Sequence, residues 1–258
     1  MLKLSSLKID PEFSAQILPL SFEELQQLEQ NIIAEGRLLN PIITWNGYIL
    51  DGHTRYRILK KHGFIKFEVE EIQLANKYEA LAWTCKNQLG RRNLSPERKK
   101  FLLGKEYEST KLAVGGQPGN CNKVNRCDQN DHIDSEKRTC ERIAVEHGVG
   151  SATVRRAEKY MNGVEAADEA APGAREEILN GKIKAADREI CAIAKAPKEQ
   201  RSEIVAELRK PKSKRDKQLV SSTKSPSVKV ESFDDDGSRF LIGISKKSTR
   251  AQKSTDRK

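Results

Sequence analysis

The stretch "WNGYILDGHTRYRI", residues 45–58, decides how the chain is read. Asn46-Gly47 lies between two apolar runs, "PIITW" and "YIL". Both residues tolerate positive φ, so the pair is the strongest short-range signal of a β-hairpin. The second strand ends at Asp51-Gly52, and a helix is predicted over residues 53–62, stopping at Gly63. A helix N-terminus offers unsatisfied backbone N–H groups and the positive end of the macrodipole. Gly52 in front of it lets the backbone approach a ligand, and Arg55 and Arg57 add charge with bidentate geometry. Together they read as an anion site, most naturally for phosphate. Surface arginines that cover apolar surface with their stems would give the same pattern.

Outward from this stretch, strands and helices alternate. "LSSLKI" (residues 4–9) reads as a first strand. "LSFEELQQLEQNIIAEG" (20–36) reads as a helix with Ser21 and Glu24 as a capping box, Gly36 as its stop, and Phe22, Leu25, Leu28, Ile32 and Ile33 on one face. "IKFEVEEI" (65–72) reads as a strand and "NKYEALAWTCKNQL" (76–89) as a helix. Alternation of this kind makes residues 1–92 a small α/β domain. A helical region follows, opened by Ser95 as cap and Pro96 at the first helical position. The polar stretch at 113–138 reads as loop, 166–208 as a helical region suited to dimerisation, and 209–258 as a basic, largely disordered tail. Within that tail "SRFLIGI" (238–244) reads as a strand or docking segment. The fold class expected is α+β: the small α/β domain, then an all-α domain at 93–165, then the tail.

Bulk composition narrows the partners. The 258 residues carry 36% hydrophobic and 33% charged residues and a net charge of +10. That balance suggests nucleic acid or another polyanion. No apolar run is long enough to span a bilayer, and the N-terminus lacks the apolar core of a signal peptide, so a cytoplasmic protein without a membrane partner is expected. The five cysteines fit reduced thiols better than disulfides. Cys121, Cys127, His132 and Cys140 are zinc-type ligands without a C-x₂-C knuckle, and no metal site is assigned to them.

A second stretch, "NQLGRRNLSPER" (87–98), again sets glycine and arginines at an element boundary, one helix-strand-helix unit after the first. Three blocks, "EGRLLNPIIT", "DGHTRYRI" and "NQLGRRNLSPER", in that order and spacing, resemble the boxes of the N-terminal domain of ParB-like partition proteins, a domain also similar to sulfiredoxin. The resemblance covers about residues 1–160 and implies binding of CTP with Mg²⁺, a DNA-clamping homodimer and a partition ATPase as partner. Carried over residue by residue, it puts Gly52, His53, Thr54, Arg55 and Arg57 in the phosphate box and Gln88 and Arg91 in the third box. His53 stands where the family has glutamate and Thr54 where it has arginine, while Asn87-Gln88 replaces Glu-Asn; the "DGHxRY" form resembles that of phage and mobile-element members. Sulfiredoxin chemistry needs a cysteine nucleophile where this chain has His53.

"SEKRTCERIAVEHGVGSATVRRAEKY" (135–160) supplies a second signal, that of a helix-turn-helix. Ile143 and Ala144 face inward, Gly148 takes the positive-φ turn, Val149 plugs the core, Ser151 caps the second helix, and Val154 and Ala157 face inward. Ser151, Ala152, Thr153, Arg155 and Arg156 are then placed toward double-stranded DNA. The reading is a sequence-specific ParB-like DNA-binding protein regulated by CTP, acting in plasmid or chromosome partition or mobile-element regulation. Two alternatives stay open. One is a nuclease or nucleotide-dependent enzyme with His53 as general base and Asp51 as metal ligand; the other is a transcriptional repressor that binds no nucleotide.

Overall fold

A computed structural model describes residues 4–91, 93–114 and 138–211. The fold is mixed α/β, with a three-stranded sheet and ten α-helices among the described residues. The expected features at Cys121, Cys127 and His132 and in the tail, "SRFLIGI" included, lie outside them.

The hairpin forms as its turn chemistry requires. β1 (Ile42–Trp45) and β2 (Tyr48–Asp51) pair antiparallel, and Asn46 and Gly47 take φ values of 49° and 76°. β3 (Val69–Glu71) adds in parallel to the other edge of β1, giving the order β2-β1-β3. It is shorter than the apolar run suggested. The expected first strand does not form: residues 4–6 make a 3₁₀ turn, and only Lys8 bridges to the sheet, at Tyr48. Its two backbone hydrogen bonds, Lys8 N–H to Gly47 O and Ile49 N–H to Lys8 O, are each 2.9 Å.

Helices flank this sheet. α1 is Pro11–Ser14 and α2 is Phe22–Glu35. The Ser21–Glu24 capping box is present, and Gly36 closes α2 in the left-handed region. Of the expected apolar face only Ile32 is buried, however, and Phe22 is 77% exposed. α3 (His53–Lys61) follows β2 directly, and its end is tied to α2 by His62 and Lys61 against Glu29. α4 (Lys77–Leu89) is capped by Asn76 and buries Ala80 and Leu81 with Leu50 and Phe13.

The remaining helices build the larger core. α5 (Pro96–Ala113) starts at the Ser95 cap, whose hydroxyl also donates to Leu179 O. α6 (Thr139–Glu146) and α7 (Ser151–Ala170) follow, then α8 (Ala174–Leu179), α9 (Asp187–Lys195) and α10 (Lys198–Arg209). Phe101, Tyr160, Met161, Ile178, Ile193 and Leu208 from five of these helices share one apolar cluster. α7 passes through the boundary expected at 165/166, and the helices after it pack back onto it. At two crossings the backbones touch: a Cβ on Gly104 of α5 would overlap the Ala157 carbonyl, and one on Gly163 of α7 the Ile190 carbonyl. Arg175 of α8 joins this core to the sheet end of the chain by donating to Ala15 O at 2.7 Å and Gln16 Oε1 at 3.1 Å.

Candidate functional site

The three sequence blocks meet at the end of β2. Gly52 sits at φ 96° and hands the chain from strand to helix without a side-chain cap, so the first N–H groups of α3 have no capping oxygen. Arg55 reaches back over this junction. Its Nη2 is 2.6 Å from Asp51 Oδ2, and its Nη1 donates to Asn40 O and Pro41 O, each at 2.9 Å. Arg91, just past α4, places Nη2 3.2 Å from Asp51 Oδ1. The first block thus supplies carbonyls, the second Asp51 and Arg55, and the third Arg91. Asp51, named in sequence only as an enzyme's metal ligand, is the hub. Its i,i+4 spacing to Arg55 is the signal that could have shown this.

The other expected residues divide. His53 is 4% exposed, and neither ring nitrogen has a hydrogen-bond partner. Burial lowers its pKa to about 4, with Asp51 opposing and Arg57 adding to that shift. Gln88 is fully buried, and its amide oxygen and nitrogen are also without partners. Thr54 is half-buried, while Arg57 is exposed and makes no salt bridge among the described residues. Buried polar groups are normally satisfied, so these four unpartnered atoms are exceptions to that rule.

The groups brought together at Asp51, the open N–H groups of α3 and the guanidiniums of Arg55 and Arg91, are of the kind that fits a phosphate-bearing anion, while Arg57 is exposed further along α3. They do not fit a protein-bound divalent cation, because both Asp51 oxygens already face guanidiniums. Of the couple named in the enzyme alternative, His53 is buried and Asp51 faces two guanidiniums.

A second surface lies on α6 and α7. Gly148 turns at φ 64°, and Ile143, Ala144, Val154 and Ala157 are buried together with Cys140 and Leu103. Ala152, Thr153, Arg155 and Arg156 are exposed on the opposite side. Two details differ. Gly150, not Ser151, is the N-cap, and Ser151 is the first helical residue; Val149 is 36% exposed and does not plug the core. Val149 closes the turn by its backbone, with its N–H bonded to Ala144 O at 2.9 Å, and its side chain stays partly at the surface.

Charged pairs fix the inner side of this unit. His147 Nε2 is 2.8 Å from Glu106 Oε2, Lys86 pairs with Glu146, and Lys111 with Glu158. Burial pushes the Glu106 carboxyl up and the His147 contact opposes it. Glu106, Glu146 and His147 are also close enough together to be metal-ligating atoms. Arg155 and Arg156, by contrast, make no salt bridge among the described residues, so their charge is available outward. No helix among the described residues is long and apolar enough to cross a membrane.

No protein-family model matches the sequence, and no curated protein matches it. Among solved structures, the chain is similar to the C222₁ form of a pNOB8-like ParB N-domain (15% identity, TM-score 0.47, covering 74% of this chain and 77% of that one). It is also similar to another structure of the pNOB8-like ParB N-domain (16% identity, TM-score 0.45, 74% and 72%). A third is the C-terminally truncated partitioning protein ParB of Caulobacter crescentus in complex with the centromeric parS site (16% identity, TM-score 0.36, 79% and 89%). All three are distant likenesses.

Proposed function

We propose that the chain is a ParB-like protein that binds double-stranded DNA through α7 and a nucleotide at the Asp51–Arg55–Arg91 site. The observation that carries the reading is the α6–α7 unit: a positive-φ glycine between two helices, an apolar inner face, and two exposed, unpaired arginines in the first turns of the second helix. A helix presented in this way enters the major groove by its N-terminal end, with its first residues at the base edges. The chain's net charge of +10 adds the sequence-independent attraction to phosphate.

The nucleotide reading rests on the open α3 N-terminus, the three arginines and the orphan atoms of His53 and Gln88. CTP is the nucleotide that the three-box resemblance implies. Mg²⁺ would then be carried by its phosphates, since Asp51 is engaged. A homodimer, a partition ATPase as partner and a cytoplasmic, nucleoid-associated site of action belong to the same proposal, in plasmid or chromosome partition or in regulation of a mobile element. One observation favours the second reading, a repressor that binds no nucleotide: Asp51 already neutralises two of the three arginines. Titration of CTP, ATP, GTP and UTP with and without duplex DNA separates the two. Saturable binding selective for one nucleotide supports the first, and no binding of any supports the second.

A further inference from the structure

A second group of exposed cations lies behind the outward-facing start of α7. Lys159 is exposed and shares a side of α7 with Arg155 and Arg156, one turn further along. The start of α9 is anchored at the same level. Lys100 of α5 sits 4.7 Å from the Tyr160 ring centroid and holds both carboxylate oxygens of Asp187, the first residue of α9, at 2.6 Å. One turn further, α9 touches α7 so closely that a Cβ on Gly163 would overlap the Ile190 carbonyl. Arg188, next to Asp187, is exposed. The charge of Lys159 reaches α9: burial pushes the Cys191 thiol up and Asp187 adds to that, while Lys195, Lys100 and Lys159 oppose it. Cys191 lies three residues after Arg188, on the same side of α9.

These cations are available outward. Lys159 and Arg188 make no salt bridge among the described residues, and the acids beside them are engaged: Asp187 by Lys100, Glu158 by Lys111, and Glu189 at the Ala186 N–H. The α8–α9 connection adds Lys182 and Lys184, both exposed, against one further carboxylate, Glu97. The balance of this surface is positive.

Position along α7 decides what the cations meet. At about 1.5 Å per residue, Ser151 to Arg156 spans about 7.5 Å and Ser151 to Lys159 about 12 Å. The major groove is about 8.5 Å deep. With the N-terminal end of α7 seated in the groove, Arg155 and Arg156 lie within its depth. Lys159, and Arg188 at the same level, lie at the rim, where the phosphates are.

We propose that Lys159 and Arg188 bind the DNA phosphate backbone at the edge of the groove that α7 enters, with Lys182 and Lys184 extending the positive surface. This rests on the reading of α7 as the helix that enters DNA. Contacts of this kind fix the register and orientation of the helix on the duplex and carry no base information.

The test is equilibrium binding of the full chain, across a salt series, to two labelled duplexes: the one it selects from a random pool and a scrambled one. Each lost phosphate contact flattens the dependence of log affinity on log salt by about 0.9. Lys159→Ala/Arg188→Ala is therefore expected to flatten it by about 1.8 and to weaken both duplexes alike, roughly 60-fold at about 0.1 M salt. Both residues are exposed, so the variant keeps its fold, which thermal melting checks. Arg37→Ala/Lys66→Ala removes the same charge from two exposed residues beside the sheet and is expected to change the slope by less than half as much. An unchanged slope in Lys159→Ala/Arg188→Ala overturns the proposal, and so does an equal loss in the charge-matched control. Lost discrimination between the duplexes in Lys159→Ala/Arg188→Ala overturns the backbone role. Arg155→Ala/Arg156→Ala tells the two failures apart. If it loses discrimination while Lys159→Ala/Arg188→Ala binds as wild type does, α7 reads DNA and only the rim contact is refuted; if the wild type binds neither duplex, both are.

Discussion

His53 makes the stability of this protein fall in mild acid, and by an amount the structure sets. Its imidazole is buried without a hydrogen bond, and its pKa is lowered from 6.5 to about 4. In the unfolded chain the ring titrates near the higher value. Between the two, the unfolded state binds a proton that the folded state does not. The contribution of neutral His53 is therefore full above about pH 6.5 and is lost as the pH falls toward about 4. At roughly 1.4 kcal/mol per unit, the loss across the window is about 3 kcal/mol. That is a large part of a typical total of about 5–15 kcal/mol. The assay is urea unfolding of the wild type and of His53→Asn, which cannot titrate, at pH values from about 7.5 to about 4.5. The wild-type curve is expected to drop more steeply than the variant's by about 2–3 kcal/mol over that range. Parallel curves would refute the claim that His53 is held neutral by burial.

Three further outcomes follow from particular contacts. Gly163→Ala gains up to about 1 kcal/mol of helix propensity. It also drives a methyl group into the Ile190 carbonyl, so a net loss of about 1–3 kcal/mol is expected in the urea midpoint, and a stabilised variant would contradict the close α7–α9 crossing. Arg55→Ala removes bonds to Asp51, Asn40 and Pro41 as well as a phosphate donor. It should lower stability by about 2 kcal/mol and nucleotide affinity by more than about tenfold, and unchanged affinity in the folded variant would remove Arg55 from the site. Asp51→Asn frees two guanidiniums; anion affinity measured with inorganic triphosphate should rise, and a fall would show that Asp51 helps to hold the ligand rather than competing with it.

Much of the fold was legible because its signals are local. Asn46-Gly47 dictates a tight hairpin, Ser21 and Glu24 satisfy each other within one turn, and Gly148 takes a conformation few other residues accept. What failed depended on neighbours distant in sequence. Residues 4–9 carry strand-like alternation, yet the sheet edge they meet offers only the Gly47–Ile49 backbone, so a single bridge forms. Phe22 belongs to the apolar stripe of α2, but no element among the described residues covers that end of the helix, which periodicity cannot reveal. The site was half-legible. Glycine and arginine at a strand end suggest an anion, which is the proposal, whereas the direction of Arg55 depends on carbonyls at Asn40 and Pro41 and on Asp51, which only the folded chain brings within reach.

The central claim, that α7 selects DNA, is tested most directly by a selection of bound sequences from a random duplex pool. The selected site is then titrated with three proteins: wild type, Arg155→Ala/Arg156→Ala, and a chain ending after Pro211. Loss of a base contact costs about 1–3 kcal/mol and relaxes preference at one position, whereas loss of phosphate contacts weakens all sequences alike and flattens the salt dependence. The account predicts that the double variant loses discrimination between the selected and a scrambled site, while the truncated chain keeps it and loses only non-specific affinity. Specific binding retained by the double variant and abolished by the truncation would contradict it, and would move recognition from α7 to the basic C-terminus.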